Sequence, residues 1–134
     1  MDNSFYKKLL SIAAFFGFMG VVVGAFGAHF LKSRIEPSDT ITLQTAVLYL
    51  FIHSLAIFGI ALLSKSELPS RLLKTVGVLF VTGIILFSGS LFLIATQDWT
   101  GVSASPIGFV TPLGGLCFIA GWVLLFWFGV KKGS

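Results

Sequence analysis

The chain has 134 residues, 56% of them hydrophobic and only 10% charged, with a net charge of +4. A soluble domain carries about 25% charged residues, so a water-facing surface is excluded, and the length leaves room for one domain only. Cys117 is the single cysteine, which excludes an intrachain disulfide and any cysteine metal or redox pair; it reads as a small apolar side chain.

A membrane span needs about 20 predominantly apolar residues. Four stretches qualify, 9–31, 40–64, 75–97 and 111–130, and none contains Asp, Glu, Lys or Arg. The expected fold is an all-α integral membrane protein, an antiparallel four-helix bundle forming a single domain over 1–134.

In the first span, Ala13, Gly17, Gly20, Gly24 and Gly27 recur at intervals of four, three, four and three. That spacing lines one face of a helix with small residues. Helices in lipid associate by close backbone packing, which small residues permit, so this stripe predicts a tightly packed neighbour, within the bundle or in a second protomer. Lys7 and Lys8 before an apolar run also suit a signal peptide, but the run exceeds the usual core of about 7–15 residues. It is therefore read as a retained span.

The following loop, 32–39, contains Glu36-Pro37-Ser38-Asp39, where Ser38 or Asp39 suits a helix cap. On the second span, Thr42, Thr45, Tyr49, His53 and Ala56 form a stripe expected to face the bundle interior, because polar groups facing lipid are costly. The loop 65–74 offers Ser70 as the next cap. Thr82-Gly83, Gly89-Ser90 and Thr96-Gln97 recur every seven residues on the third span, so spans one, two and three are expected to meet along these seams. In the loop 98–110, Trp99, Ile107 and Phe109 suit the headgroup level. Thr111-Pro112 reads as a cap followed by proline at the first helical position; the alternative is a longer helix from near Pro106 kinked at Pro112. Gly114 and Gly115 would let the fourth helix approach closely.

Charge sets the expected orientation. Lys7, Lys8, Lys65, Arg71, Lys74, Lys131 and Lys132 fall on one side, against Lys32 and Arg34 on the other. Short loops rich in Lys and Arg stay cytoplasmic, so both termini are expected inside, in an inner (plasma) membrane. This bias accounts for the net charge without a nucleic-acid partner, and the basic rim would attract anionic lipid headgroups.

Counting rise from the inner lysines places His53 about 18 Å deep, Ser88 and Ser90 about 21–24 Å and Cys117 about 21 Å. His29 and Gln44 fall in a second layer at the outer interface. His53, with Tyr49, Ser88, Ser90 and Thr111, is the candidate polar site. An intramembrane ionisable residue suggests function, although a neutral imidazole bonded to Ser88, Ser90 or a carbonyl would simply join helices. His29 and His53 differ in depth by about 13 Å, which excludes a bis-histidine haem. The spans hold no acid, so aspartyl and His-Glu-x-x-His chemistry is absent, and Ser54 follows His53 directly, on a different helix face. No metal, cofactor or enzymatic activity is expected.

Gly24-Ala25-Phe26-Gly27-Ala28-His29, Tyr49 with His53-Ser54, Phe87-Ser88-Gly89-Ser90-Leu91, and Thr111-Pro112-Leu113-Gly114-Gly115 with Gly121-Trp122 occur together in this order. Together they resemble the YgdD/YwdK-type family of small membrane proteins, a group of unknown function with relatives among small mitochondrial and animal transmembrane proteins. The resemblance covers about Gly17 to Trp122. It implies a four-span inner-membrane protein and no established activity, substrate or catalytic residue. The leading expectation is a non-enzymatic structural or accessory component, assembled with itself or with a larger membrane complex. The alternatives are a small oligomeric transporter or channel with His53 in a polar path, and a lipid-binding protein.

Overall fold

The computed structural model describes residues 3–66 and 68–132; the predicted domain 1–134 also covers residues 1–2, 67 and 133–134, which lie outside the described residues. The described chain is helical, with no strand among the described residues. Its elements are α1 (Asn3–Phe26) running into a π turn (Gly27–Leu31), α2 (Pro37–Leu63), α3 (Ser70–Gly83), a second π turn (Ile84–Ser88), α4 (Gly89–Thr100), a 3₁₀ turn (Ser105–Ile107) and α5 (Val110–Lys132). Since α3, the second π turn and α4 form one continuous helix, there are, among the described residues, four helices long and apolar enough to cross a membrane.

Apolar runs without interior charge give unbroken helices, and their ends follow proline and glycine. Proline at the first helical position of α2 and glycine in the left-handed region after α4 are the favoured stop-start chemistry. Gly101 has φ 72°, which closes α4 through its amide bond to the Gln97 carbonyl. Three caps differ from expectation. α2 starts after an extended Glu36, so Pro37 opens the helix and Ser38 and Asp39 lie inside its first turn. Pro69 precedes α3, and Ser70 is its first helical residue. α5 begins at Val110, which puts Thr111 within the first turn, and the stretch around Pro106 is a separate 3₁₀ turn rather than part of a kinked helix. In the first two cases proline fixes the backbone before a side-chain cap is needed.

Short connections make sequence neighbours spatial neighbours. α1 lies on α2, α2 on α3 and α4, and α5 on α3 and the second π turn. The second and third spans are central, with 39% and 33% of their apolar windows buried, against 17% for each of the outer two. Consequently spans one and three do not form a close helix pair along a common seam. They meet through side chains at their ends, where Leu9 approaches Gly77 and the Phe26 and Phe30 rings meet Trp99. Leu50, Ile57, Ile60, Leu73, Val76, Phe80 and Phe118 form the main core, on the side of the chain termini, and Leu31, Leu43 and Ala95 form a smaller one at the opposite end. The outer surface is studded with large apolar side chains, Phe109, Phe126 and Trp127 among them, as lipid contact requires and water contact forbids.

Candidate functional site

The glycine stripe of α1 lies along α2. A Cβ on Gly27 would fall 2.7 Å from Leu43, on Gly24 3.4 Å from Val47, on Gly20 3.0 Å from the Phe51 ring and on Gly17 3.4 Å from the Ser54 hydroxyl. At the same face the Ser54 hydroxyl donates to the Ala13 carbonyl at 2.8 Å. Because that carbonyl belongs to the neighbouring backbone, the bond is possible only where small residues let the two helices approach.

Gly114 meets the Phe87 and Leu86 backbone even more tightly, whereas Gly115 has only ordinary ring contacts with Phe87 at 3.8 Å. A Cβ on Gly89 would meet nothing within 4 Å. The expectation that Gly89 packs a neighbouring helix is therefore corrected: it lies just after the π turn, whose wider winding swings it to the edge of a groove.

His53 is 3% exposed and is held on all sides. Its ring stacks on Phe118 with centroids 3.5 Å apart and planes at 11°, and Phe80 stands edge-on at 5.2 Å. The indole Nε1–H of Trp122 donates to His53 Nε2 at 3.1 Å, and the other nitrogen, Nδ1, lies 2.8 Å from the Tyr49 carbonyl. An indole nitrogen can only donate. Nε2 is thus the acceptor and Nδ1 carries the proton, which it donates to Tyr49. Both ring nitrogens are committed, one within α2 and one to α5.

No hydrogen bond among the described residues links His53 to Ser88 or Ser90 of the predicted inner polar layer. Ser90 donates to the Phe87 carbonyl at 2.9 Å and lies 2.6 Å from the Thr111 hydroxyl. Having spent its one proton on Phe87, Ser90 accepts from Thr111, joining α4 to α5. Ser88 is buried, and its hydroxyl has no hydrogen-bond partner among the described residues. Tyr49 is 37% exposed and stacks near Phe87 and Phe118. Thr42 and Thr45 return their hydroxyls to carbonyls four residues back, at 3.1 and 3.0 Å. The α2 stripe is thus only partly interior, since local bonds satisfy its threonines at the flank. His29, in the first π turn, and Gln44 are exposed and far along the bundle from His53. No group of three or more metal-ligating side chains occurs among the described residues.

Phe80, Phe118 and Trp122 complete the site around His53, beyond the residues its polar pattern marks. Phe118 and Trp122 are four apart on α5, alternating with Gly114 and Gly121, and that small–large repeat on one face is the signal that locates them. Gly83 receives the Phe118 ring, and Gly121 the Phe80 ring, with a Cβ there 2.5 Å from Phe80.

Comparison with known proteins fits this arrangement of motifs. A family described as "Protein of unknown function (DUF423)" matches residues 23–115. The chain belongs to this family. It is 37% identical over 122 residues to the UPF0382 inner membrane protein YgdD of Escherichia coli K12, covering 89% of this chain and 86% of that one. To the UPF0382 membrane protein YwdK of Bacillus subtilis it is 34% identical over 125 residues, covering 93% and 98%. A UPF0382 membrane protein of Haemophilus influenzae is 31% identical, with 96% and 98% covered. No solved structure matches. This DUF423 chain is accordingly a multi-pass membrane protein of a family of unknown function.

Proposed function

We propose that this DUF423 protein is a non-enzymatic accessory component of the inner membrane, with both termini cytoplasmic, that assembles with a larger membrane complex. The observation that carries the reading is the closed circuit at His53. A proton relay or catalytic base needs a free lone pair or an exchangeable proton in a path, and here Nε2 is taken by the Trp122 indole, joining α2 to α5, and the Nδ1 proton by the Tyr49 carbonyl within α2. The bonds Ser54–Ala13 and Ser90–Thr111 serve the same end. The polar groups at these helix contacts are spent on shape rather than on chemistry.

Charge placement supports the orientation. Lys65 stands over the Tyr6 ring at 4.0 Å and Lys74 near the Phe5 ring at 5.5 Å, so α1 meets Lys65, just after α2, and the first turns of α3 at one basic end. That end also carries Lys7, Lys8, Arg71 and Lys131, and the opposite end only Lys32 and Arg34. The positive-inside rule places the richer end in the cytoplasm. One relative carries "inner membrane" in its name, which agrees with this location.

The test is the native mass of the protein extracted gently from its own membrane, with co-eluting chains identified. A stable larger assembly with defined partners is the expected result, and a lone monomer would overturn it. A reporter fused to the C-terminus that is active only in the cytoplasm checks the orientation; activity of a reporter requiring export would reverse it.

A further inference from the structure

Between α1 and α2, on the side away from α3, a crevice of about 430 Å³ opens to the surface. Its walls are Gly24, Gly27 and Ala28 of the first span and Leu43, Val47 and Phe51 of α2. Gly24 and Gly27 form its floor, where the first span touches Val47 and Leu43 of α2. The polar lining groups, Lys32, Thr40 and Gln44, belong to the end of the bundle carrying the 32–36 connection.

Depth and polarity together define an occupant. From Thr40 to Phe51 the crevice follows α2 for about 16 Å, close to half of a hydrocarbon core of about 30 Å. It therefore has the reach of one leaflet, apolar at the bottom and polar at headgroup level. Arg34 is already engaged, its guanidinium 3.9 Å above the Phe30 ring. Lys32 makes no ion pair and the Gln44 amide no hydrogen bond among the described residues. Glu36 and Asp39 offset the two cations of this segment, so any anion held here depends on direct contact with the Lys32 ammonium rather than on a general positive field.

We infer that this crevice is a phospholipid site. One acyl chain lies along Gly24, Gly27 and Val47, and the phosphate bonds to Lys32 and Gln44. The inference is independent of the accessory reading, because it concerns the α1–α2 face alone and no partner chain is needed to form it.

Native mass spectrometry of the full-length protein, delipidated in mild detergent and then given phosphatidylglycerol or diacylglycerol of the same chains, tests the site. The expected result is a single phosphatidylglycerol retained per chain and little diacylglycerol. Lys32→Met weakens retention about fivefold, the worth of one basic residue at a membrane surface, and Gln44→Leu weakens it less. Ala28→Phe, at an exposed position on the crevice wall, abolishes retention without entering the helix contact. Lys7→Met, at the other end, leaves it unchanged. Equal retention of diacylglycerol, equal losses in Lys7→Met and Lys32→Met, or full retention in Ala28→Phe overturns the inference.

Discussion

Glycine serves two opposite designs in the two halves of this bundle. On α1 the small residues form an unbroken stripe, and α2 answers with ordinary side chains, Leu43, Val47 and Phe51, lying across it. Between the third span and α5 the arrangement is reciprocal: Gly83 receives Phe118, Gly121 receives Phe80, and Gly114 rests directly on the Phe87 backbone. The first interface is a smooth track with one hydroxyl pin at Ser54. The second is a set of interlocked rings, crossed by the Thr111–Ser90 bond, while the Trp122–His53 bond ties the same α5 face to α2. A track can yield by a side-chain swing toward lipid, whereas an interlock has no such slack. Positional rigidity is thus expected to concentrate on the α5 side.

The largest expected effect is at Gly114. A methyl group there collides with the amide nitrogen of Phe87 and approaches the Leu86 carbonyl carbon, both fixed backbone atoms. Gly114→Ala is expected to cost about 3 kcal/mol, the upper part of the overpacking range, measured by reversible unfolding in mixed micelles. Trp122→Phe follows, at about 1–1.7 kcal/mol, because it removes an interhelical hydrogen bond while keeping most of the ring. A double-mutant cycle with His53→Leu should return most of that energy as coupling; independence of the two would show that the bond contributes nothing.

Gly20→Ala sharpens the contrast. Its added carbon meets only the far end of the half-buried Phe51 ring, at 3.0 Å, so the cost should stay near or below about 1 kcal/mol. If Gly20→Ala proves as damaging as Gly114→Ala, the track is as rigid as the interlock and the distinction fails. Gly89→Ala, facing open space, is expected to be neutral or stabilising by up to about 1 kcal/mol, the helix-propensity difference between the two residues.

These differences bear on what a sequence displays. Four apolar runs are a one-dimensional signal, and the four spans followed from them. The α1 stripe was equally visible, because all its members lie on one helix at helical intervals. The interlock was not, since its glycines and rings are divided between two helices, and only the fold pairs Gly83 with Phe118. The prominence of His53 among apolar neighbours was legible, but its partners were not: Trp122 lies 69 residues away, and no local pattern joins them. Gly89 falls off the seam because the period of seven assumes a uniform helix, and the π turn just before it breaks the register.

That π turn also bears on how long this helix must be. A five-residue turn, closed by the Gly89 amide on the Ile84 carbonyl, accommodates an extra residue in an otherwise α-helical rod. The third span therefore carries one residue of slack, and lipid-facing Ile85, 58% exposed, is the position that can be deleted. Its removal would tighten the turn to α geometry while Gly83 still faces Phe118 and Ser90 still faces Thr111. In evolutionary terms, a one-residue gap at 84–88 in a family member would be structurally silent, whereas the same gap at Gly114 would turn every later contact of α5 by about 100°.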